Sequence, residues 1–308
     1  MEKGYLVVLG GCTVDEYYES DKWINLGDKA LVNSLGSKIG GATFNVAAVA
    51  SKLGLPTKIF DIMNYEDTTS SLIFKAFDEF NIDKNYIVNE ETAMVCKALI
   101  FSVNGEKSIF IHEPAKPKIK GEKWQSVANN ASYIYSLINF VIGFDYGYEM
   151  LEEAKLNGAK IVLDADNSYD TQEKIDVLSL ANIAIFNKTS YENFSTIIGQ
   201  DASKYLLSKG AEMIICTKDK DGCEIYFDDK HYGLGGYKVN VVDTTGAGDT
   251  FSAAFIYKLS KGFEPIKALE FANAAASRAV TIFGPTAGAC SENEVLEFFK
   301  DNEKNLSW

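Results

Sequence analysis

The segment Val241-Val242-Asp243-Thr244-Thr245-Gly246-Ala247-Gly248-Asp249-Thr250-Phe251 joins an apolar pair to a glycine-rich turn and then to a helical pattern reaching Ser260. It predicts a strand that stops at Asp243 and a helix that starts near Gly248. Glycines at 246 and 248 let the backbone approach a ligand with no Cβ in the way. The N–H groups of Gly246, Ala247 and Gly248 would then lie at a helix N-terminus, where the dipole and unsatisfied donors favour an anion. Asp249 falls in the first helical turn, placed to take a proton from an attacking hydroxyl while those N–H groups hold a phosphoryl group. The same pattern also suits an acidic residue that only stabilises its own helix.

Working outward, short apolar runs alternate with amphipathic helical patterns along the chain. Tyr5–Leu9, Thr57–Ile62, Tyr133–Leu137, Lys160–Leu163, Ile183–Phe186 and Met213–Cys216 read as buried strands. Phe44–Leu53, Thr69–Phe80, Tyr148–Asn157, Ala202–Lys209, Thr250–Ser260 and Pro265–Ile282 read as helices. Strands too short to be helices, each followed by a helix, predict an α/β protein: a mostly parallel central sheet with helices on both faces. Two segments break the rhythm. Residues 15–38 carry Tyr17, Tyr18 and Trp23 without a helical pattern, and residues 92–112 read as strands Ala93–Val103 and Lys107–His112 around Asn104-Gly105, a hairpin signal. They are expected to form a small β-sheet, as a lid or as decoration, inserted in a main domain made of 1–14, 39–91 and 113–308.

Charge narrows the function. The 308 residues hold 43 acidic and 30 basic side chains, a net charge of −13, so a nucleic-acid partner held by counterion release is not expected. Arg278 is the only arginine, which rules out a clamp of several guanidinium forks. With His112 and His231 alone, a multi-histidine metal centre is excluded. Phosphate chemistry would have to rest on backbone N–H groups, lysine and a metal ion. Cys12, Cys96, Cys216, Cys223 and Cys290 are scattered and odd in number, which reads as reduced thiols in a cytoplasmic protein. The apolar run at Leu6–Leu9 is too short for a membrane span.

Three motifs together resemble the ribokinase (PfkB) family of sugar and nucleoside kinases. Asp243–Phe251 resembles the family's C-terminal signature. Gly40-Gly41-Ala42-Thr43-Phe44-Asn45-Val46-Ala47 is similar to its Gly-Gly-x-x-x-Asn-x-Ala element, and Gly10–Asp15 to its Gly-x-x-x-x-Asp. The resemblance implies a three-layer α-β-α ribokinase-like fold with a lid made from the two insertions. It implies transfer of the γ-phosphate of ATP to a sugar or nucleoside hydroxyl, with Asp249 as base and Gly246, Ala247 and Gly248 as the anion hole. It also implies Asp15, Gly41 and Asn45 as substrate contacts, Mg2+ with the nucleotide, K+ near Asp243 and Thr245, and a homodimer through the lid.

Two departures stand against it. The family's Asn-x-x-Glu appears as Asn187-Lys188-Thr189-Ser190, so either Glu192 substitutes for the missing glutamate through a shifted helix start or magnesium is held differently. Its Thr-x-Gly-x-x-Gly nucleotide turn appears as Thr217-Lys218-Asp219-Lys220-Asp221-Gly222, with aspartate for the first glycine. Asn273 and Gly284–Gly288 are expected near adenine by position. The departures also fit a non-catalytic sugar- or nucleotide-binding relative, although the retained Asp249 argues for a kinase. A dinucleotide-dependent dehydrogenase is excluded, because Gly10–Asp15 lacks G-x-G-x-x-G.

Overall fold

The computed structural model describes residues 4–104, 106–112, 114, 121–165 and 169–302. The strands of the first half are β1 (Tyr5–Leu9), β2 (Thr13–Glu19), β3 (Asn33–Gly40), β4 (Thr57–Phe60), β5 (Ile62–Met63), β6 (Val88–Asn89), β7 (Cys96–Val103) and β8 (Glu106–His112). Those of the second half are β9 (Ala131–Leu137), β10 (Lys160–Asp164), β11 (Ile183–Asn187), β12 (Met213–Thr217), β13 (Cys223–Phe227) and β14 (Lys230–Leu234). Helices α1 (Ala42–Leu53), α2 (Thr68–Glu79), α3 (Gly121–Ala128), α4 (Ile138–Gly143), α5 (Gly147–Leu156) and α6 (Gln172–Leu178) precede α7 (Lys188–Ile198) and α8 (Ala202–Ser208). The chain closes with α9 (Ala247–Ser260), α10 (Pro265–Ala279) and α11 (Glu292–Asn302).

The main sheet runs β14-β13-β12-β11-β10-β9-β1-β4, parallel from β12 to β4 with an antiparallel edge at β13 and β14. Its strands are apolar on both faces because both faces are covered. Leu6 and Val8 of β1 enter one core with α1, α9 and α10, while Tyr5, Val7 and Leu9 enter a second core beneath Trp124, Leu151 and Phe194. Side chains alternate across a strand, so one continuous apolar run serves two cores. Parallel strands also place all their C-terminal ends along one edge, the usual place for a ligand in such sheets.

The two irregular segments do form a second sheet, in the order β3-β2-β7-β8. Its strands start earlier on one side and later on the other than the patterns indicate, at Thr13 and Cys96. Asn104 turns the β7–β8 hairpin with φ 51°, and Gly105 lies outside the described residues. One strand expected from the sequence is absent: Val241 and Val242 form no strand and are 61% and 59% exposed. The N–H groups of Val242 and Asp243 both donate to Val280 O, so this backbone is bonded to the end of a helix instead of a sheet.

Candidate active site

Helices α1 and α9 pack against each other, and their first turns bring together two motifs about two hundred residues apart. Gly41 precedes α1 with φ 93°, and a Cβ there would stand 2.9 Å from Thr13 Oγ1. One turn on, Asn45 is buried and its Nδ2 donates to Asp249 Oδ2 at 2.7 Å. Asn45 Oδ1 is also buried, with no hydrogen-bond partner among the described residues. A buried acceptor left open is costly, and a ligand hydroxyl would satisfy it. Beneath Asp249, the buried Tyr135 hydroxyl donates to Asp164 Oδ2 at 3.1 Å. Burial, and then the Asp164 and Asp249 charges, hold that phenol far above its ordinary range, so it remains a donor.

The turn before α9 is shaped by glycine. Gly246 is left-handed at φ 78°, and a Cβ there would run into Pro285 O. Among the described residues the Gly246 and Gly248 N–H groups have no hydrogen-bond partner, whereas the Ala247 N–H makes a long 3.3 Å bond to Thr244 O. Gly248 has open space where a Cβ would stand, so its smallness serves something other than packing within the chain. Asp243 secures the turn. Its Oδ1 accepts from Thr245 N at 3.1 Å and Thr245 Oγ1 at 2.7 Å, and its Oδ2 accepts from Gly284 N at 3.2 Å. Burial pushes the Asp243 carboxyl up, but these donors, with Lys107 nearby, bring it below the ordinary carboxylate range. As an anion it fits a cation, although three of its roughly four acceptor sites are already in use.

The second sheet presents a mixed face to this junction. Strand register puts Lys38, Asp15, Ala98 and Ile111 in one row, and Gly36, Tyr17, Ile100 and Ile109 in the next. Gly40 lets Asp15 close on the backbone, since a Cβ there would run into Asp15 Oδ2. Burial lifts the Asp15 carboxyl to about 6. Tyr17 is pushed up to about 12 by burial, then by the charges of Asp15 and Asp243, so it stands between the two halves of the site. Lys38 and the aliphatic row escaped the sequence reading. Strand parity counted outward from Asp15 would have found them.

At the ends of β11 and β12 the geometry corrects one expectation. Asn187 is the N-cap of α7 in a capping box with Ser190, so the helix starts without a shift and Glu192 lies exposed beyond the first turn. Ser190 takes the N3 role that glutamate fills elsewhere. Lys218 is ion-paired with Glu224, so its charge is committed. Thr217 Oγ1 donates to Phe186 O at 3.2 Å. Asp219 sits at φ 49°, the left-handed conformation that suits glycine. Asp219→Gly is expected to raise stability by up to about 1 kcal/mol, checked by thermal unfolding. Gly222, at φ 93°, has no room for a Cβ beside Leu234 O. Asn273 is buried and donates to Gly235 O at 2.9 Å, fastening the loop that packs on Gly222.

Among the described residues no group of three or more His, Cys, Asp or Glu side chains could hold a metal ion. A magnesium ion brought in with the nucleotide would need few protein ligands, because it keeps several waters and binds substrate phosphate oxygens.

A buried amide with an open acceptor beside an acidic residue in the first turn of α9, next to a glycine-rich turn with free N–H donors, is the arrangement that a phosphotransferase site would need. The family comparison agrees: residues 3–292 match the pfkB family carbohydrate kinase model, and the chain belongs to that family. It is an ATP-dependent carbohydrate kinase. It is similar to a ribokinase of Staphylococcus aureus, 26% identical over 92% of this chain and 95% of that one. A nucleoside kinase of Methanocaldococcus jannaschii is 25% identical over 96% of each chain. The fold is that of the Arabidopsis thaliana ribokinase solved with ribose and ATP, at TM-score 0.82 and 24% identity, covering 96% of this chain and 99% of that one.

Proposed function

We propose that the acceptor hydroxyl of a sugar lies between Asp15, Gly41, Asn45 and Asp249, and that Asp249 takes its proton as the γ-phosphoryl group of ATP arrives. The 2.7 Å Asn45–Asp249 bond carries this reading, because it puts the base beside a buried acceptor that a ligand hydroxyl would satisfy. Gly246, Ala247 and Gly248 N–H groups hold the transferring phosphoryl group. Asn187, Thr217, Gly222 and Asn273 border the nucleotide, and magnesium, when bound, neutralises charge on its phosphates. The second sheet acts as a lid that excludes water.

Support for a homodimer through the lid comes from edge strand β8, where Ile109, Phe110 and Ile111 are 55%, 63% and 67% exposed. Five free thiols favour a reducing, cytoplasmic setting. No described helix is long and apolar enough to cross a membrane. A nucleoside is the second reading for the acceptor. The Ala98–Ile100–Ile111 face offers apolar surface for a base as well as for a sugar skeleton.

The test is ADP formation from Mg-ATP across a panel of sugars and nucleosides. Turnover with at least one acceptor is expected, and none with any of them would favour a binding protein. Running the panel in potassium and in sodium checks the Asp243/Thr245 cation site. Faster turnover in potassium is expected, and equal rates would remove the site from the account.

A further inference from the structure

The charges around the Asn45–Asp249 junction are lopsided. Asp15 and Asp243 act on Tyr17, and Asp164 and Asp249 act on Tyr135, so an anionic phosphoryl group arriving at Asp249 enters surroundings rich in carboxylates. The solitary arginine is tied to Glu294 at 2.8 Å, and Lys218 is paired with Glu224. Lys38 is different. Among the described residues it has no carboxylate within ion-pair distance, and it stands beside Asp15 in the second sheet.

The Lys38 ammonium is placed between the two sides of the reaction. It lies 6.0 Å from the Tyr17 ring centre and 4.4 Å from that of Phe283. It is 3.5 Å from the position of a Cβ on Gly284. Gly284 donates to Asp243, and the next residue, Pro285, closes against Gly246 at the anion hole. One side chain thus links the sheet that bears the acceptor contact Asp15 to the loop behind the N–H donors. A cation on an exposed aromatic ring is held weakly enough to leave for a phosphate oxygen.

We propose that Lys38 is a catalytic cation delivered by the second sheet, which leaves the Phe283 ring to engage the phosphoryl group in flight. This rests on the function proposed above. In that step the acceptor oxygen bonds to the γ-phosphorus and the bond from that phosphorus to the β,γ-bridging oxygen breaks. The hydroxyl proton passes to Asp249, and ADP departs with the bridging electron pair. Lys38 forms no covalent bond; it offsets charge on the equatorial oxygens, where stabilisation counts most in a loose transition state.

Lys38→Met, Lys38→Arg and Lys97→Met test this with an acceptor found on the panel. Lys97 lies on the opposite face of the sheet near Glu16, at 3.9 Å, and serves as the control. Lys38 is exposed, so its replacement leaves the core untouched. Lys38→Met is expected to lower kcat about a hundredfold, with the acceptor KM changed less than about threefold. Lys38→Arg should restore kcat to within about tenfold of the parent, and Lys97→Met should match the parent. Equilibrium binding of Mg-β,γ-methylene-ATP in the presence of acceptor should weaken about tenfold in Lys38→Met. A Lys38→Met kcat within about twofold of the parent would overturn the proposal, as would a change confined to the acceptor KM. Asp249→Asn in the same assay separates the two claims. If it turns over normally, the reading of the site fails. If it is inactive while Lys38→Met is normal, only the lysine assignment fails.

Discussion

Asp249→Asn is expected to lower kcat by roughly a thousandfold, the upper part of the range for losing a general base. The substitution is nearly isosteric, and an asparagine Oδ1 can still accept from Asn45 Nδ2, so the bond now made at 2.7 Å persists. The Gly246–Gly248 donors are untouched, and ATP affinity should stay within about threefold of the parent. What disappears is the acceptor for the hydroxyl proton. A helix N-terminus weakens a carboxylate as a base, but phosphoryl transfer passes through a loose transition state in which the proton moves late. Placement therefore matters more than basicity here. Initial rates together with equilibrium ATP binding check this, and near-normal turnover would remove Asp249 from its role.

Asp15→Asn should separate binding from stability. A hydrogen bond to a charged group contributes about 1.5–3 kcal/mol, so the acceptor KM is expected to rise about ten- to a hundredfold. Stability should move in the opposite direction. Burial lifts the folded-state carboxyl to about 6 from 3.8, so between those values the folded chain holds a proton that the unfolded chain has lost. Stability then falls as pH rises through that window, and the penalty is complete above it. Asp15→Asn removes the penalty and should raise the melting temperature at pH 8 but hardly at pH 4. For the parent, kcat/KM for the acceptor should fall as pH drops through about 6. A melting temperature unchanged at pH 8 would mean that Asp15 is solvated instead of buried.

Much of this architecture was legible before any coordinates. The apolar runs of β1, β9, β10, β11 and β12 are buried on both faces, so composition alone marked them. The Gly40–Asn45 and Asp243–Asp249 motifs were legible as local chemistry, but their meeting was not. That contact spans 204 positions and depends on how α1 packs on α9. The strand expected at Val241–Val242 failed because hydrophobic residues need a partner strand to form a ladder, and β14 had already ended the sheet at Leu234. Glu192 failed as a substitute for glutamate because Asn187 and Ser190 complete the capping box by themselves, so nothing shifts the helix start. The place of Lys38 was invisible because it is set by the Phe283–Gly284 loop, some 245 positions away in the chain.

In the proposed function, an acidic chain with one arginine makes its positive potential locally, from N–H donors at Gly246–Gly248, a lysine on the second sheet and the cations that come with the nucleotide. The central claim is that this potential is directed at a sugar hydroxyl and not at water. ADP formation by the unmodified enzyme at saturating Mg-ATP, with and without acceptor, tests it most directly. The acceptor is expected to raise the rate by at least about a thousandfold, with one phosphorylated acceptor formed per ADP. Equal rates in its presence and absence, with free phosphate as the product, would contradict the account.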